Sequence, residues 1–417
     1  MKKKLLGLLV SVAALSLLVG CGSKGESEKA GGKGKETTIS YALWDKEQQV
    51  VYKEIAQKFE EENPDIKIKF EITPWAQYWT KLETAITGDN APDVFWMNTP
   101  YAQDYIDSGI LAPLDDVKFD EDKFADQYLT AYSKDGSLYG VPKDFDSHAL
   151  YYNKKLFDEA GVEYPNEDWT WDTWKEAAEK LTNKDKKVYG MSTPVTWQGG
   201  YYELIYSNGG SPFNEDGTKS GFDKPETIEA LEFYHSFSEK GFAPPVDEQA
   251  ETNIYEMLLA EKVAMGVAGS YGVPTVFADE YGLENIDIAP IPKGKTRAVT
   301  SNPLAHVMSS KTKHPEAAKK WIEYLSSKEA MEMAGESGLV LPVYDGSEGG
   351  WVEAYPNQNL QVFVDAKEYA VPLPNYKNSM SAISLEQDIF NDAWSGKLTI
   401  EEACKQVAEK ANAQLSK

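Results

Sequence analysis

Hydrophobic positions recur with two different periods from residue 38 onward. Residues 38–43 (TISYAL) make a short, largely apolar run. Residues 46–62 then place Val50, Val51, Ile55 and Phe59 at the spacing of one helical face, and Asn63-Pro64 stops the pattern. Ile66, Ile68, Phe70 and Ile72 next alternate with Lys67, Lys69 and Glu71, which is the period of a strand with one wetter face. Residues 75–87 read as a second helix closing at Gly88, and residues 93–97 (DVFWM) as a short buried strand. Strand, helix, strand, helix, strand predicts right-handed crossovers and a largely parallel sheet in an α/β fold.

The alternation continues. Residues 149–153 (ALYYN) read as a strand, and residues 171–181 as a helix whose first turn Thr170 can cap. Amphipathic helices follow at 227–240 and 253–261. A buried strand at 263–267 leads to Gly269-Ser270-Tyr271-Gly272. Residues 287–291 precede a Pro/Gly turn, 299–309 cross back extended, and 315–325 and 400–415 are helical. Open α/β sheets bind ligands beyond the carboxyl ends of their strands. That rule singles out Trp44-Asp45 after the first strand and residues 97–100 after the third. Indole faces beside carboxylates and amides suit sugars, whose C–H faces need flat apolar surfaces and whose hydroxyls need acceptors and donors.

The first twenty residues have another character. Lys2, Lys3 and Lys4 precede an apolar run ending in Leu18-Val19-Gly20-Cys21, too short for a comfortable membrane span and typical of a secretory signal. Its last four residues resemble a bacterial lipobox, which implies a lipid on Cys21 and an anchor on the outer face of the cytoplasmic membrane. Residues 22–37 contain no large apolar side chain and read as a solvated linker. Cys404 is then the remaining thiol, expected to be a small buried residue of the last helix.

Charge narrows the ligand. The 417 residues carry 67 Asp plus Glu against 42 Lys plus Arg, a formal net charge of -25. That argues against nucleic acid, which needs clustered cations. Arg297 is the sole arginine. Recognition of carboxylates or phosphates usually recruits the guanidinium fork, so neutral ligands are expected.

Four stretches carry a family resemblance: residues 88–114 (GDNAPDVFWMNTPYAQDYIDSGILAPL), 139–157 (YGVPKDFDSHALYYNKKLF), 261–271 (EKVAMGVAGSY) and 314–325 (HPEAAKKWIEYL). In this order the chain resembles the family-1 extracellular solute-binding proteins of bacterial ABC importers, the group of maltose- and maltodextrin-binding proteins, over nearly all of residues 38–417. The resemblance implies a two-lobe periplasmic-binding-protein fold (type II), each lobe a mostly parallel sheet flanked by helices. One lobe would hold residues 38–146 with about 299–343, the other about 147–298 with 344–417. Crossings would fall near Asp146, near residues 297–302 and near Leu341-Pro342. It further implies a monomer without cofactor or catalysis, which closes on a carbohydrate, a di- or oligosaccharide by the family's habit, and presents it to a membrane permease.

Carried onto this chain, the family's contact positions are Trp44, Asp45, Trp96, Asn98, Asp146, Trp197 and Tyr271, with Tyr201, Ser301 and Trp351 as further candidates. Stacking is expected of Trp197, Tyr271, Trp351 and Trp44. Hydrogen bonding is expected of Asp45, Asn98 and Asp146. The second crossing reads Thr300-Ser301-Asn302 where many relatives have a Gly-rich pair, and residues 379–383 lack the late aromatic of the maltose-binding branch, which speaks against maltose itself.

Other readings stay open at this point. Asp144 and Asp146 suggest a glycosidase pair, yet spacing alone gives neither the separation nor the raised pKa that such a pair needs. Tyr151-Tyr152 and Tyr201-Tyr202 resemble the phenolate ligands of ferric-iron-binding relatives, and an acidic, aromatic cleft would also suit a polyamine. The four histidines have no metal-ligand spacing, and residues 214–217 (NEDG) fit a hairpin turn better than a calcium loop. Trp75 and Trp79 are expected in the core.

Overall fold

The computed structural model describes residues 36–417. The expected export segment, Cys21 and most of the expected linker lie outside those residues. The strands are β1 (Thr37–Leu43), β2 (Ile66–Ile72), β3 (Val94–Asn98), a small hairpin of β4 (Ser133–Lys134) and β5 (Ser137–Leu138), β6 (Gly140–Asn153), β7 (Met265–Gly269), β8 (Ile286–Ala289), β9 (Val299–Met308) and β10 (Ala370–Pro372).

The two-period pattern at the start of the chain folds as it reads. β1 pairs in parallel with β2 on one side and with β3 on the other. Helix Gln48–Glu62 buries Val51, Tyr52, Ile55, Ala56 and Phe59 against this sheet. Val50 is 58 % exposed, so the buried stripe runs one position later than the sequence pattern placed it. Trp321 and Ile322 of helix Pro315–Leu325 complete this face. On the opposite face Tyr78 and Leu82 of helix Trp75–Thr87 pack with Ala102, Tyr105 and Ile106.

Beyond β3 the expected parallel order gives way to antiparallel pairing, making the sheet mixed. β9 returns beside β3, and β6 runs antiparallel to β9 from Gly140↔Val307 to Ser147↔Ser301. One residue later β6 leaves that neighbour and continues between β7 and β8, from His148↔Gly269 to Asn153↔Ile286. β9 in turn extends to Val299–Ser301, where β10 pairs with it in parallel. β6 therefore runs unbroken from one lobe's sheet into the other's, and β9 runs beside it through the crossing at Ser147↔Ser301. A third stretch accompanies them at Leu341, whose carbonyl accepts Phe145 N at 3.2 Å.

In the second lobe one face of β6, β7 and β8 packs in a second cluster, through Leu150, Met265, Val267 and Ala289, while Tyr151, Ala268 and Ile288 on the other face join the core of the first lobe. Helix Trp171–Leu181 starts at a capping box formed by Thr170 and Thr173 and buries Trp174, Ala178 and Leu181. Leu231 and Phe237 of helix Pro225–Glu239 and Cys404 and Val407 of helix Ile400–Leu415 belong to the same cluster. Cys404 is fully buried there, and burial pushes its thiol up to about 12, so it packs as an apolar residue.

Glu386 is a buried charge site in this lobe. Its carboxyl accepts Tyr201 Oη and Tyr202 Oη, both at 2.9 Å, and burial pushes it up to about 8 against the opposing pull of those two bonds. In the unfolded chain a glutamate titrates near 4.3. Between those values the folded state keeps a proton that the unfolded state has released, so Glu386 makes stability fall as pH rises, by about 1.4 kcal/mol per unit, and its effect is flat above pH 8. Urea unfolding of Glu386→Gln should show a smaller loss of stability from pH 5 to pH 8 than the parent, by roughly 4 kcal/mol at full size. Parallel pH profiles would rule Glu386 out as the source.

Candidate functional site

Where β6 and β9 pass between the lobes, a cavity of about 500 Å³ opens. It is lined from the first lobe by Trp44, Asp45, Gln48, Trp75 and Asn98, and from the second by Thr196, Trp197, Gln198, Ser270 and Tyr271. Asp144, Phe145 and Asp146 form its floor on β6, with Trp351 beside them. Local sequence explains how each group is presented.

Trp44 and Asp45 follow the last residue of β1. Asp45 Oδ1 accepts the backbone N–H groups of Glu47 (2.8 Å) and Gln48 (3.0 Å), fixing the chain as it turns into the next helix. Trp44 stands edge-on to Trp75, Tyr78 and Trp96, with centroids 5.2, 5.0 and 5.0 Å away. Asn98 ends β3 and begins helix Thr99–Asp107, whose Pro100 in the first turn needs no N–H partner.

Across the cavity, Tyr271 depends on its glycines. A Cβ on Gly269 would fall 2.1 Å from Tyr271 Cε1, and one on Gly272 would fall 2.0 Å from the Tyr255 ring. Tyr271 is 49 % exposed and free to offer a ring face. Trp197 begins an irregular turn in which Gly199 adopts φ +67°, and a Cβ there would press on His148 at 2.9 Å.

Asp146 joins the lobes chemically. Its carboxylate accepts Gln198 Nε2 at 3.0 and 3.1 Å and Asn302 Nδ2 at 3.2 Å. Burial pushes it up to about 7, against the pull of His148 and of those two amides. Directly beneath, Glu203 Oε2 accepts Thr300 N at 2.6 Å, while Oε1 accepts Thr300 Oγ1 at 2.5 Å and Gly199 N at 3.2 Å and lies 3.2 Å from His148 Nδ1. The cavity floor is thus a buried polar network spanning both crossing strands and the Trp197 turn.

Of the ten contact candidates, seven line this cavity: Trp44, Asp45, Asn98, Asp146, Trp197, Tyr271 and Trp351, although Trp351 is 1 % exposed and packs into the core edge-on to Phe363, so the stacking face expected of it is covered. Three do not. Trp96 is sealed behind Trp44, its indole N–H donating to Tyr41 Oη at 2.6 Å. Tyr201 is committed to Glu386 in the second-lobe core. Ser301 is 1 % exposed within the β6–β9 ladder. Conversely, Trp75 is 45 % exposed and faces the cavity instead of joining the core as expected, whereas Trp79 is covered by Tyr101, stacked at 3.7 Å. Gln48 and Gln198 were missed as lining groups, and Asp144, which the sequence offers only as half of a carboxylate pair, lines the cavity as well. Only the Gly199-Gly200 turn signal beside Gln198 could have pointed to one of them.

The tyrosine pairs sit away from this cavity. Tyr151 Oη is bonded to Gly269 O at 2.8 Å and Tyr152 lies beside Asp287, while Tyr201 and Tyr202 share Glu386. Among the described residues no group of three or more His, Cys, Asp or Glu is placed to hold a metal ion. Residues 214–217 form the turn of a small hairpin, with Gly217 N donating to Asn214 O and Phe213 bridging Ser220.

A family profile described as bacterial extracellular solute-binding protein matches residues 45–332. The chain belongs to that family. An ABC substrate-binding protein from Listeria monocytogenes, solved in complex with cycloalternan, superposes on the solute-binding protein with a TM-score of 0.86 at 29 % identity, covering 91 % of this chain and 99 % of that one. The maltodextrin-binding protein of Bacillus subtilis is 26 % identical over 412 residues, 95 % of this chain and 94 % of its own. The arabinooligosaccharide-binding protein of Halalkalibacterium halodurans is 25 % identical over 396 residues, 88 % of this chain and 86 % of its own. These relatives share the two-lobe fold of the solute-binding protein, and several are named for sugar binding. No helix among its described residues is long and apolar enough to cross a membrane.

Proposed function

We propose that this protein binds an uncharged di- or oligosaccharide in the interlobe cavity, closes on it by bending at the β6 and β9 crossings, and delivers it to an ABC import permease without altering it. The observation that carries this reading is the cavity itself, where Trp44 and Trp75 of one lobe oppose Trp197 and Tyr271 of the other around Asp45, Asn98 and Asp146. A ligand touching both sides stabilises the closed form through contacts the open form lacks. Its volume of about 500 Å³ lies within the range of about 300–1,000 Å³ for small-molecule sites. The lobe limits that accompany the reading are residues 38–146 with about 299–343, and about 147–298 with 344–417; the strand crossings at Ser147 and Ser301 support them.

Charge favours a sugar over a polyamine. Asp144 is paired with buried Lys143, Asp146 is pushed up to about 7 by burial, and Asp45 spends an oxygen on two backbone amides. Of the lining carboxylates that leaves Asp45 alone, fewer anionic groups than an ammonium ligand with several charges would need. The same pairing weakens the glycosidase reading, because Asp144 is ion-paired with Lys143 and Asp146 accepts from the side-chain amides of Gln198 and Asn302, which leaves neither carboxyl set up to pass a proton to a glycosidic oxygen.

Thermal unfolding of residues 36–417 against maltotriose, arabinotriose, cycloalternan, spermidine and ferric citrate tests the reading, since a ligand specific for the folded state raises the transition. A shift with a neutral oligosaccharide alone is expected. A shift with spermidine or ferric citrate alone would overturn the sugar assignment. The receptor is further proposed to be a monomer held at the outer face of the cytoplasmic membrane by a lipid on Cys21. The full chain should then partition with membranes and Cys21→Ala should not; equal partitioning would refute the anchor.

A further inference from the structure

The β6–β9 ladder carries one irregularity, between Pro142 and Asp144. Such a bulge re-aims neighbouring side chains. Here it brings Lys143 and Asp144 together. Lys143 is sealed: its Nζ lies 3.9 Å from the centroid of the Trp96 ring and 5.4 Å from that of Tyr52, and it donates to Gln48 Oε1 at 3.3 Å and to Asp144 Oδ2. Asp144 lines the cavity at 5 % exposure, and its other oxygen, Oδ1, is buried with no hydrogen-bond partner.

An orphan acceptor on a buried carboxylate is expensive, and it is relieved when a donor arrives. Asp144 is one of the lining residues of the space that a ligand of this cavity would enter. We propose that Asp144 Oδ1 is the charged acceptor for a ligand hydroxyl, and that Lys143 is a positioning residue that keeps Asp144 ionised and turned to the cavity. This inference rests on the carbohydrate reading above and deepens it to a chemical class.

With Lys143 already balancing its charge from behind, Asp144 offers a directed hydrogen-bond site and no net charge. An alcohol donor satisfies that site, whereas a cationic ligand would meet the lysine's repulsion. Burial pushes Lys143 down and Asp144 up, and the contact between them opposes both shifts, which is how the pair stays ionised away from water. The cation also holds the Trp96 ring that backs Trp44, so the acceptor and the nearest stacking surface share one support.

The test is a double-mutant cycle read by calorimetric titration, using whichever of maltotriose, arabinotriose and cycloalternan binds the parent protein most tightly. Asp144→Asn should weaken binding roughly 10- to 100-fold, as expected for losing a hydrogen bond to a charged group. Lys143→Met keeps the stem over Trp96 and should weaken binding comparably. Because Lys143 acts through Asp144, the Lys143→Met/Asp144→Asn protein should bind no worse than Asp144→Asn alone. Affinity of Asp144→Asn within twofold of the parent, or losses that multiply in the double variant, would overturn the proposal. If Asp144→Asn does not fold because it strands the lysine charge, the double variant, in which the pair is neutral, carries the test, and parental affinity there would refute it. Failure of all three sugars to bind the parent would instead remove the carbohydrate reading, and this inference with it.

Discussion

Glu203→Ala is expected to destabilise the protein by about 3–5 kcal/mol, the cost of breaking a buried, charge-bearing network from one side. Glu203 is fully buried and receives the N–H and the hydroxyl of Thr300, the N–H of Gly199, and a contact from His148 Nδ1. One side chain thereby ties the Trp197 turn to β9 at Thr300 and to β6 next to its transfer between sheets. Alanine would leave these donors in a dry interior with no acceptor, each costing about 1–3 kcal/mol if nothing rearranges. Urea unfolding at pH 7 measures the loss. Glu203→Gln, which keeps the shape and one acceptor oxygen, should fall between the parent and Glu203→Ala. A loss below about 1 kcal/mol for alanine would mean that the crossing strands are held by their ladder alone.

The second large effect is on affinity and should leave the fold intact. Trp197→Ala or Tyr271→Ala should each weaken sugar binding by about 1–3 kcal/mol, or roughly 5- to 150-fold. Tyr271 is half-exposed and Trp197 only partly buried, so truncating either removes little of the core. Trp96→Ala is the contrasting change. That indole is wholly buried beneath Trp44 and donates to Tyr41, so its loss should appear mainly as a stability decrease of about 3–5 kcal/mol. Equal affinity for the parent and for Trp197→Ala, measured by calorimetry on the best sugar, would take Trp197 out of the site.

Much of the fold was legible because most of its elements bury one face. The periodicities of residues 46–62 and 66–72 report such faces directly, and the helix and strand they predict are present, with only Val50 on the wrong side. β6 was read only from residue 149 because Lys143, Asp144, Asp146, Ser147 and His148 look like a solvated loop. All of them are buried, with partners in Gln48, Gln198, Asn302, Thr300 and Phe363 from distant parts of the chain, and Asp144 Oδ1 and His148 Nε2 are left without one. Partners so far apart in sequence leave no local signal.

The site shows the same division. Loops beyond β1 and β3, and the glycine-bounded turns at Trp197 and Tyr271, could be located because strand ends and glycines mark them. Which aromatic faces the cavity could not. Trp75 and Trp79 lie four residues apart on one helix, yet Tyr101 stacks on Trp79 and nothing comparable covers Trp75. Likewise Trp96 alternates inward on a strand buried on both faces, where sequence offers no distinction between a wall and a plate.

A crystal structure of residues 36–417 with the tightest-binding neutral oligosaccharide tests the central claim most directly. The account predicts sugar rings in the cavity between Trp44 and Trp75 on one side and Trp197 and Tyr271 on the other, with hydroxyls on Asp45, Asn98, Asp144 or Asp146. Sugar bound elsewhere, for example in the open groove of the second lobe beside Phe213 and Tyr376, would contradict it.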